Sequence, residues 1–171
     1  MAAENQGVRE LVMPEKPPDL PAEFSAPVVK PKKSLWRLLG EVLDHGGPGF
    51  LQFAITNICN ARCDFCGFAV DKFDPSRRRS VSWQEARDAI DIAVNNHIGY
   101  LLFVGGEPLA HRDLRAMVRY AAERGIRPMI CTNGSLWTEQ NMRGFADDGL
   151  SSVIMSIDAH DVARHDKNRG L

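Results

Sequence analysis

The alternation of short apolar runs with longer amphipathic runs, which begins at Phe50, constrains the fold of this chain more than any other feature. Four apolar runs are typical of strands, at 50–56, 100–104, 127–132 and 152–157. Three amphipathic runs have apolar residues at helical spacing, at 83–97, 114–124 and 139–147. The predicted N-caps are Ser82 and Thr138, and the predicted C-terminal stops are Gly125 and Gly149. Strands that alternate with helices through short returns are parallel, so we predict an α/β fold with right-handed crossovers.

The sequence after the fourth strand run is short. It holds fourteen residues, 158–171, which are too few for another helix and strand. A closed eightfold barrel takes about 200–250 residues, and even six βα units need more chain than is present. We therefore expect the 171 residues to be the front part of a longer protein or a truncated product. The apolar fourth strand suits a covered interior position, but no fifth strand follows to pair with its open side, so we expect it to be an unpaired parallel edge in this chain.

The sequence before Phe50 divides into two further segments. Seven of the ten prolines lie in residues 1–48, and residues 1–33 show neither helical nor strand periodicity, which predicts a Pro-rich flexible leader. Residues 34–49 predict a short docking helix that opens at Ser34, followed by a Gly/Pro linker. The core domain is then predicted to span 50–171, incomplete at its C-terminus.

Composition excludes several classes of protein. With 21 Lys and Arg against 22 Asp and Glu, the net charge is -1, so there is no basic excess to bind a nucleic-acid backbone. No apolar run reaches the length of about 18 residues that spans a bilayer, and no secretory signal is readable. Four cysteines are too few for a disulfide-stapled secreted scaffold. We predict a cytoplasmic protein that binds neither nucleic acid nor membrane.

Three of the cysteines are clustered directly after the first strand run. Cys59, Cys63 and Cys66 form a C-x3-C-x2-C pattern, whose thiolates can converge on one metal centre. A structural zinc site normally has four ligands, whereas three thiolates on a [4Fe–4S] cluster leave one iron open to another ligand. The pattern therefore favours an iron–sulfur cluster over zinc. Cys131 lies in an apolar strand run and is predicted to be a buried core residue.

The other three strand runs also end in distinctive residues. They are followed or ended by Gly105-Gly106-Glu107-Pro108, by Thr132-Asn133-Gly134 and by Ser156-Ile157-Asp158. Each sequence alone is compatible with an ordinary turn. However, the carboxyl ends of parallel strands share one edge of a sheet or barrel, so these residues are predicted to meet the cysteines there. The Glu107 carboxylate could then hold an ammonium group.

Together, these motifs resemble the radical S-adenosylmethionine (SAM) superfamily, closest to the branch of molybdenum-cofactor and peptide-modifying enzymes. The resemblance rests on C-x3-C-x2-C with Phe65 before the last cysteine, and on Gly-Gly-Glu-Pro after the second strand. It implies a partial (βα)6 TIM-like barrel, truncated here after about four βα units. It also implies that Cys59, Cys63 and Cys66 ligate a [4Fe–4S] cluster, which reductively cleaves SAM to a 5′-deoxyadenosyl radical.

The resemblance implies roles for further residues in binding SAM. Gly105, Gly106, Glu107 and Pro108 would receive the methionine ammonium, and Phe65 would lie near the adenine. The candidates for the methionine carboxylate and the ribose hydroxyls are Thr132, Ser156 and Asp158. Arg169, in a tail that resembles the same branch, could approach SAM or begin a solvated helix. The expected partners are an unidentified substrate and a flavodoxin- or ferredoxin-like reductant.

Two alternatives to a radical SAM enzyme remain open from the residues alone. One is an iron–sulfur module for electron transfer or sensing that does not cleave SAM, and the other is a structural zinc protein. Formation of 5′-deoxyadenosine separates the first alternative from an enzyme, and metal analysis separates the second. The basic stretches Arg77–Arg79 and 111–112 suit an anionic substrate but are also typical of solvated surface.

Overall fold

The computed structural model describes residues 34–46, 48–69, 72 and 74–171. The helices α1 to α5 span Leu35–His45, Trp83–Asn95, Leu114–Glu123, Glu139–Asp147 and Val162–Arg169. The strands β1 to β4 span Phe50–Thr56, Tyr100–Gly105, Arg127–Thr132 and Ser152–Met155. The leader predicted at 1–33 lies outside the described residues, and the predicted domain boundaries stay a prediction.

Local capping explains why the helices begin and end where predicted. Ser82 and Thr138 each form a capping box at the start of α2 and α4, in which side chain and backbone satisfy each other three residues apart. Gly125 and Gly149 follow α3 and α4 with φ of 83° and 86°, a conformation that favours glycine. Both caps and both stops are confirmed. The predicted ends of α2 and α3 are too long by two residues and one residue.

The four strands form one parallel sheet in the order β1-β2-β3-β4. Each strand lies beside the strand that precedes it along the chain, and helices α2, α3 and α4 separate consecutive strands. This topology confirms the predicted α/β fold of alternating strands and helices. Because all four strands run the same way, their carboxyl ends share one edge, where the cysteines and the other strand-end residues follow.

The hydrophobic core lies between α2, α3 and one face of β1 to β3. Its fully buried side chains include Ile55, Ile90, Phe103, Met117 and Ile130. By contrast, every residue of β4 is exposed, and β4 ends two residues earlier than predicted. Among the described residues β4 pairs with β3 alone, so it is the open edge strand predicted for this chain rather than the covered interior strand that its apolar composition suits.

Helix α1 is the predicted short docking helix. The Ser34 hydroxyl accepts a hydrogen bond from the Arg37 amide, and Gly46 ends the helix with φ of 66°. Its buried residue, Leu38, packs against Gly99 at the start of β2. None of the described helices has the length and apolar character needed to cross a membrane.

Candidate functional site

The start of the cysteine loop, which we define as residues 57–69, is fixed to the end of β2. The amide of Gly106 donates to the Thr56 carbonyl at 2.8 Å, and the amide of Glu107 donates to the Ile58 carbonyl at 2.8 Å. A Cβ atom at Gly105 or Gly106 would collide with these same two carbonyl oxygens. Gly105 also has a φ of 140°. The two glycines are therefore required for this close approach.

The three thiols of this loop are free and differ in burial. Cys63 is buried, whereas Cys59 and Cys66 are half-buried. The Ala61 amide donates to the Cys59 sulfur at 3.4 Å, and the Phe68 amide donates to the Cys66 sulfur at 3.4 Å. Backbone donors aimed at sulfur stabilise the thiolate form, which is the form that binds metal.

Burial and mutual repulsion both act against the thiolates in the metal-free chain. Burial chiefly raises the pKa of Cys59 and of Cys63 above the ordinary thiol value, and the negative charges of neighbouring thiolates, Cys66 among them, raise it further. The Arg169 guanidinium opposes this effect and lowers the pKa of Cys63. A cation bound among the three sulfurs would remove the repulsion, because it favours deprotonated ligands.

The donor set fits an iron–sulfur cluster. Within the described part of the chain, no three His, Cys, Asp or Glu side chains group closely enough to hold one metal ion. A [4Fe–4S] cluster binds each thiolate to a different iron, so its ligands lie further apart than those of a single ion. Three free thiols on one eight-residue stretch, two with amide donors to sulfur, suit that wider centre.

Glu107 is a buried carboxylate at the centre of the strand-end residues. It is 1% exposed, and its two oxygens accept hydrogen bonds from the Thr132 hydroxyl at 2.7 Å, the Asn133 amide at 2.8 Å and the Leu109 amide at 3.0 Å. Burial raises the pKa of Glu107, while these hydrogen bonds and Arg169 act in the opposite direction. A buried carboxylate without a cation in contact is an attractive site for a positively charged ligand.

An amide and hydroxyl network joins the cysteine loop to the end of β3. Asn60 donates to the Ser135 hydroxyl at 2.8 Å, and Asn133 donates to the Asn60 side-chain oxygen at 2.9 Å. Asn133 also accepts from the Ser135 amide and hydroxyl. Sequence reasoning missed Asn60 and Ser135. Their contact spans 75 residues of chain, and no local pattern signals it.

The residues after β4 are placed on the other side of the cysteine loop. Ser156 continues the β3–β4 pairing through its amide, which donates to the Thr132 carbonyl at 2.9 Å. Its hydroxyl lies 3.9 Å from the sulfur of Cys131, which is half-buried rather than fully buried as predicted. Asp158 forms an ion pair with Arg169, which is buried at the end of α5.

Phe65 lies at the surface of the loop. Its side chain is 66% exposed, and the guanidinium carbon of Arg169 is 6.0 Å from its ring centroid. An exposed aromatic ring beside a cation is a suitable face for a planar ligand. The tail interpreted as a possible start of a solvated helix is the end of α5, which is largely exposed apart from the buried Arg169.

The two basic stretches have structural partners. Asn57 donates to the Arg77 carbonyl and accepts from the Arg79 amide. These two hydrogen bonds hold the segment that follows the cysteine loop against the end of β1. His111 is buried, contacts the Val81 carbonyl through its ring at 2.9 Å, and has a pKa lowered by burial. The backbone of the first stretch and the His111 imidazole of the second therefore have structural roles.

The structure thus divides the predicted site residues into two groups around the cysteine loop. On one side, at the ends of β2 and β3, the buried residues Glu107, Pro108 and Thr132 lie next to the half-buried Gly105 and Gly106. On the other side, Asp158 pairs with Arg169 at the end of α5, and Ser156 follows β4. Phe65 belongs to the cysteine loop itself and lies near Arg169. The loop is joined to Glu107 through Ile58 and to Arg169 through Arg62, which makes it the centre of the site.

Comparison with known proteins identifies a family whose profile matches most of the chain. The profile of the radical SAM superfamily matches residues 53–170. An AdoMet-dependent heme synthase from Oleidesulfovibrio alaskensis is 32% identical over 133 residues, which cover 75% of this chain and 33% of that protein. A GTP 3′,8-cyclase from Synechococcus elongatus is 31% identical over 116 residues, which cover 67% of this chain and 36% of that protein. The chain therefore spans about a third of the length of these curated relatives.

A solved structure shares the fold. SuiB of Streptococcus suis bound to S-adenosylmethionine matches with a TM-score of 0.58 at 20% identity, covering 80% of this chain and 32% of that chain. At this identity the similarity bears on the fold alone. It agrees with the parallel sheet of alternating strands and helices described above.

Proposed function

Because the chain belongs to the radical SAM superfamily, we propose that it is part of an enzyme that binds a [4Fe–4S] cluster and cleaves SAM reductively. One observation carries this proposal. The loop with the three free thiols accepts a backbone hydrogen bond from Glu107 at Ile58, and Gly106 bonds to Thr56 directly before the loop, so the cluster ligands and the proposed ammonium site form one unit.

Cys59, Cys63 and Cys66 would hold the cluster. When bound and reduced, the cluster supplies the electron that cleaves the S–C5′ bond of SAM, giving methionine and the 5′-deoxyadenosyl radical. The residues around it have two tasks. The amides of Ala61 and Phe68 stabilise the thiolates through donation to sulfur. The buried position of Cys63 limits the access of water and oxygen to that ligand.

Glu107 is proposed to bind the ammonium group of SAM. Its carboxylate is held in place by Thr132, Asn133 and Leu109, so it needs no rearrangement of its own to meet a cation. Gly105 and Gly106 bring this carboxylate next to the cysteine loop because neither carries a side chain. Pro108 fixes the chain after it. The proposal keeps Thr132 and Ser156 as candidates for the methionine carboxylate and ribose, and Phe65 for the adenine.

The relatives suggest which task the matched segment serves. A heme synthase and a GTP cyclase are named for different products, yet each matches this chain over about a third of its own length. We assign radical generation to this shared segment, and substrate selection to other parts of such proteins. The electron would come from a flavodoxin- or ferredoxin-like partner. Four free thiols are consistent with the reducing cytoplasm, where we place the protein.

The test is SAM binding and cleavage by the anaerobically reconstituted chain. We expect SAM to perturb the electron paramagnetic resonance spectrum of the reduced cluster, because SAM would occupy the open iron. We also expect 5′-deoxyadenosine to form after reduction with dithionite. A chain that binds about four irons but neither responds to SAM nor forms 5′-deoxyadenosine would instead be an electron-transfer or sensing module. Binding of zinc in place of iron and sulfide would contradict both functions.

A further inference from the structure

The end of α5 lies directly against the cysteine loop. The Arg62 amide donates to the Arg169 carbonyl at 2.7 Å, and the Cys63 sulfur lies 3.9 Å from the same oxygen. Gly170 then leaves the helix with φ of 59°, and a Cβ atom there would lie 2.7 Å from the Cβ of Arg62. The backbone between two of the proposed cluster ligands is therefore fixed by the last turn of one helix.

An ion pair joins this helix end to the segment that follows β4. Nη2 of Arg169 donates to Oδ1 of Asp158 at 2.8 Å. Nε of Arg169 lies 2.7 Å from Oδ2, a charge contact that lacks the alignment of a hydrogen bond. The Arg169 side chain is 11% exposed and the Asp158 side chain 25% exposed, so water screens the pair only weakly. Asp161 caps the first turn of the same helix.

We propose that Asp158 and Arg169 are a positioning pair, which holds the end of α5 on the cysteine loop and sets the local charge beside the cluster site. This inference rests on the proposed function. It replaces the predicted role of Asp158 as a contact for the ribose or carboxylate of SAM. Both carboxylate oxygens of Asp158 already face the Arg169 guanidinium, and a free carboxylate would also repel the carboxylate of methionine.

The two members of the pair carry opposite charges, so their removal has opposite electrical effects. In Asp158→Asn the Arg169 cation remains unbalanced near Cys63, which favours the added electron and raises the midpoint potential of the cluster. In Arg169→Gln the Asp158 anion remains unbalanced, which lowers the potential. A purely structural role would give no such opposition, because both variants would loosen the same contact.

The first measurement is amide hydrogen exchange on the cluster-free chain, in peptides that contain Arg62. We expect Asp158→Asn and Arg169→Gln each to accelerate exchange about tenfold, because opening of the α5 contact exposes the Arg62 amide. The double variant should be no worse than the poorer single variant, since both remove one interaction. Arg169→Lys keeps the charge but loses the two-point contact, and it should give a smaller acceleration.

The second measurement is the midpoint potential of the reconstituted cluster, followed by electron paramagnetic resonance. We expect Asp158→Asn to raise it, Arg169→Gln to lower it and Arg169→Lys to leave it nearly unchanged. Gly170→Ala is the matched control, because its Cβ would press on Arg62 without changing any charge. It should accelerate exchange and leave the midpoint potential nearly unchanged.

Two outcomes would overturn the proposal. One is a shift of the potential in the same direction, or no shift, in Asp158→Asn and Arg169→Gln. The other is unchanged exchange at Arg62 in Asp158→Asn together with weakened SAM binding, which would return Asp158 to the role of a SAM contact. If the unchanged chain binds no cluster, the proposed function fails, while the exchange data still test whether the pair holds the loop.

Discussion

The sheet has a covered side, at β2 and β3, and an edge side, at β4 and α5, and these two regions are built differently. β2 and β3 are covered by α2 and α3, and their inward residues Phe103 and Ile130 are fully buried. β4 lies at the edge, with Ile154 43% exposed, and α5 after it buries little apart from Arg169. The covered side is stabilised by apolar burial, whereas the edge side depends on a few polar contacts. Rigidity is therefore distributed unevenly around the site.

The cysteine loop is attached to both sides. Toward the covered side, the Glu107 amide donates to the carbonyl of Ile58 in the loop, and the Gly106 amide donates to Thr56 directly before it. Toward the edge side, Arg62 contacts the carbonyl of Arg169, which the ion pair with Asp158 holds in place. The comparison suggests that the proposed ammonium site is preformed, while the placement of the cluster ligands responds to single substitutions near α5.

The largest expected effect is a difference in iron binding between a cysteine of the loop, Cys63, and the cysteine of β3, Cys131. Cys63→Ala should abolish binding of about four irons per chain, because a cluster with two remaining protein thiolates is not retained. Cys131→Ala should retain the iron, since its neighbour is the Ser156 hydroxyl on the edge side. Iron and sulfide analysis after anaerobic reconstitution measures both. Equal iron loss in the two variants would make Cys131 a ligand and would leave no iron open for SAM.

A second test compares the two sides through the same chemical deletion. Ile130→Ala removes a fully buried side chain and should lower the free energy of unfolding by about 2–5 kcal/mol. Ile154→Ala, one strand away, removes a side chain that is already 43% exposed and should cost less than about 1 kcal/mol. Urea unfolding of the cluster-free chain gives both values. Similar losses would mean that β4 is covered in solution.

A third test addresses the preformed ammonium site. Glu107→Gln keeps the shape but removes the charge, so a charge-assisted contact of about 1.5–3 kcal/mol is lost and SAM should bind roughly 10–100-fold more weakly. Iron content should hardly change. Asp148→Asn is the matched control, because Asp148 is also a 1% exposed carboxylate but pairs with Arg115 away from the site. Equal SAM affinity in wild type and Glu107→Gln would mean that the Gly-Gly-Glu-Pro motif serves only as a turn.

The smallest expected effect concerns an exposed ion pair on the covered side. Asp91 accepts hydrogen bonds from Arg124 and Tyr120, and the Arg124 bond chiefly lowers the pKa of Asp91. The pair is 35–46% exposed, so solvent screening limits it to less than about 1 kcal/mol. A lowered folded pKa gives stability that is present above the ordinary value of 3.8 and is lost as pH falls through the folded pKa.

Unfolding of Asp91→Asn across this pH range is the corresponding measurement. Its deficit relative to the wild type should be visible near neutral pH and should vanish in acid. Glu139→Gln, which breaks a pair with Arg143 that is 77–80% exposed, should show almost no deficit at any pH. A deficit for Asp91→Asn that grows toward low pH would contradict the assignment of Arg124 as the main partner.

Sequence patterns predicted the features that short stretches of chain determine. The helix starts at Ser82 and Thr138 and the turns at Gly125 and Gly149 depend on residues within four positions, so they are readable one segment at a time. The parallel sheet follows from the alternation of these segments. The close backbone approach at Gly105 and Gly106 could also be predicted, because only glycine leaves room for the carbonyl groups that contact them.

Features that depend on distant partners were not predicted. The burial of Arg169 depends on a carboxylate eleven residues earlier and on the cysteine loop far before it. The Asn60 contact with Ser135 joins two loops. In each case the partner becomes a neighbour only after the sheet has formed.

The contact of α5 with the cysteine loop has a consequence for the order of folding. Cys63 and Arg169 are 106 residues apart along the chain. Closing so long a loop costs more conformational entropy than forming helices or pairing consecutive strands, so this contact forms late. Until then, the Cys63 thiol remains open to solvent and to oxidation. Cys63 is therefore protected from oxygen only once this contact has closed, after the sheet has assembled.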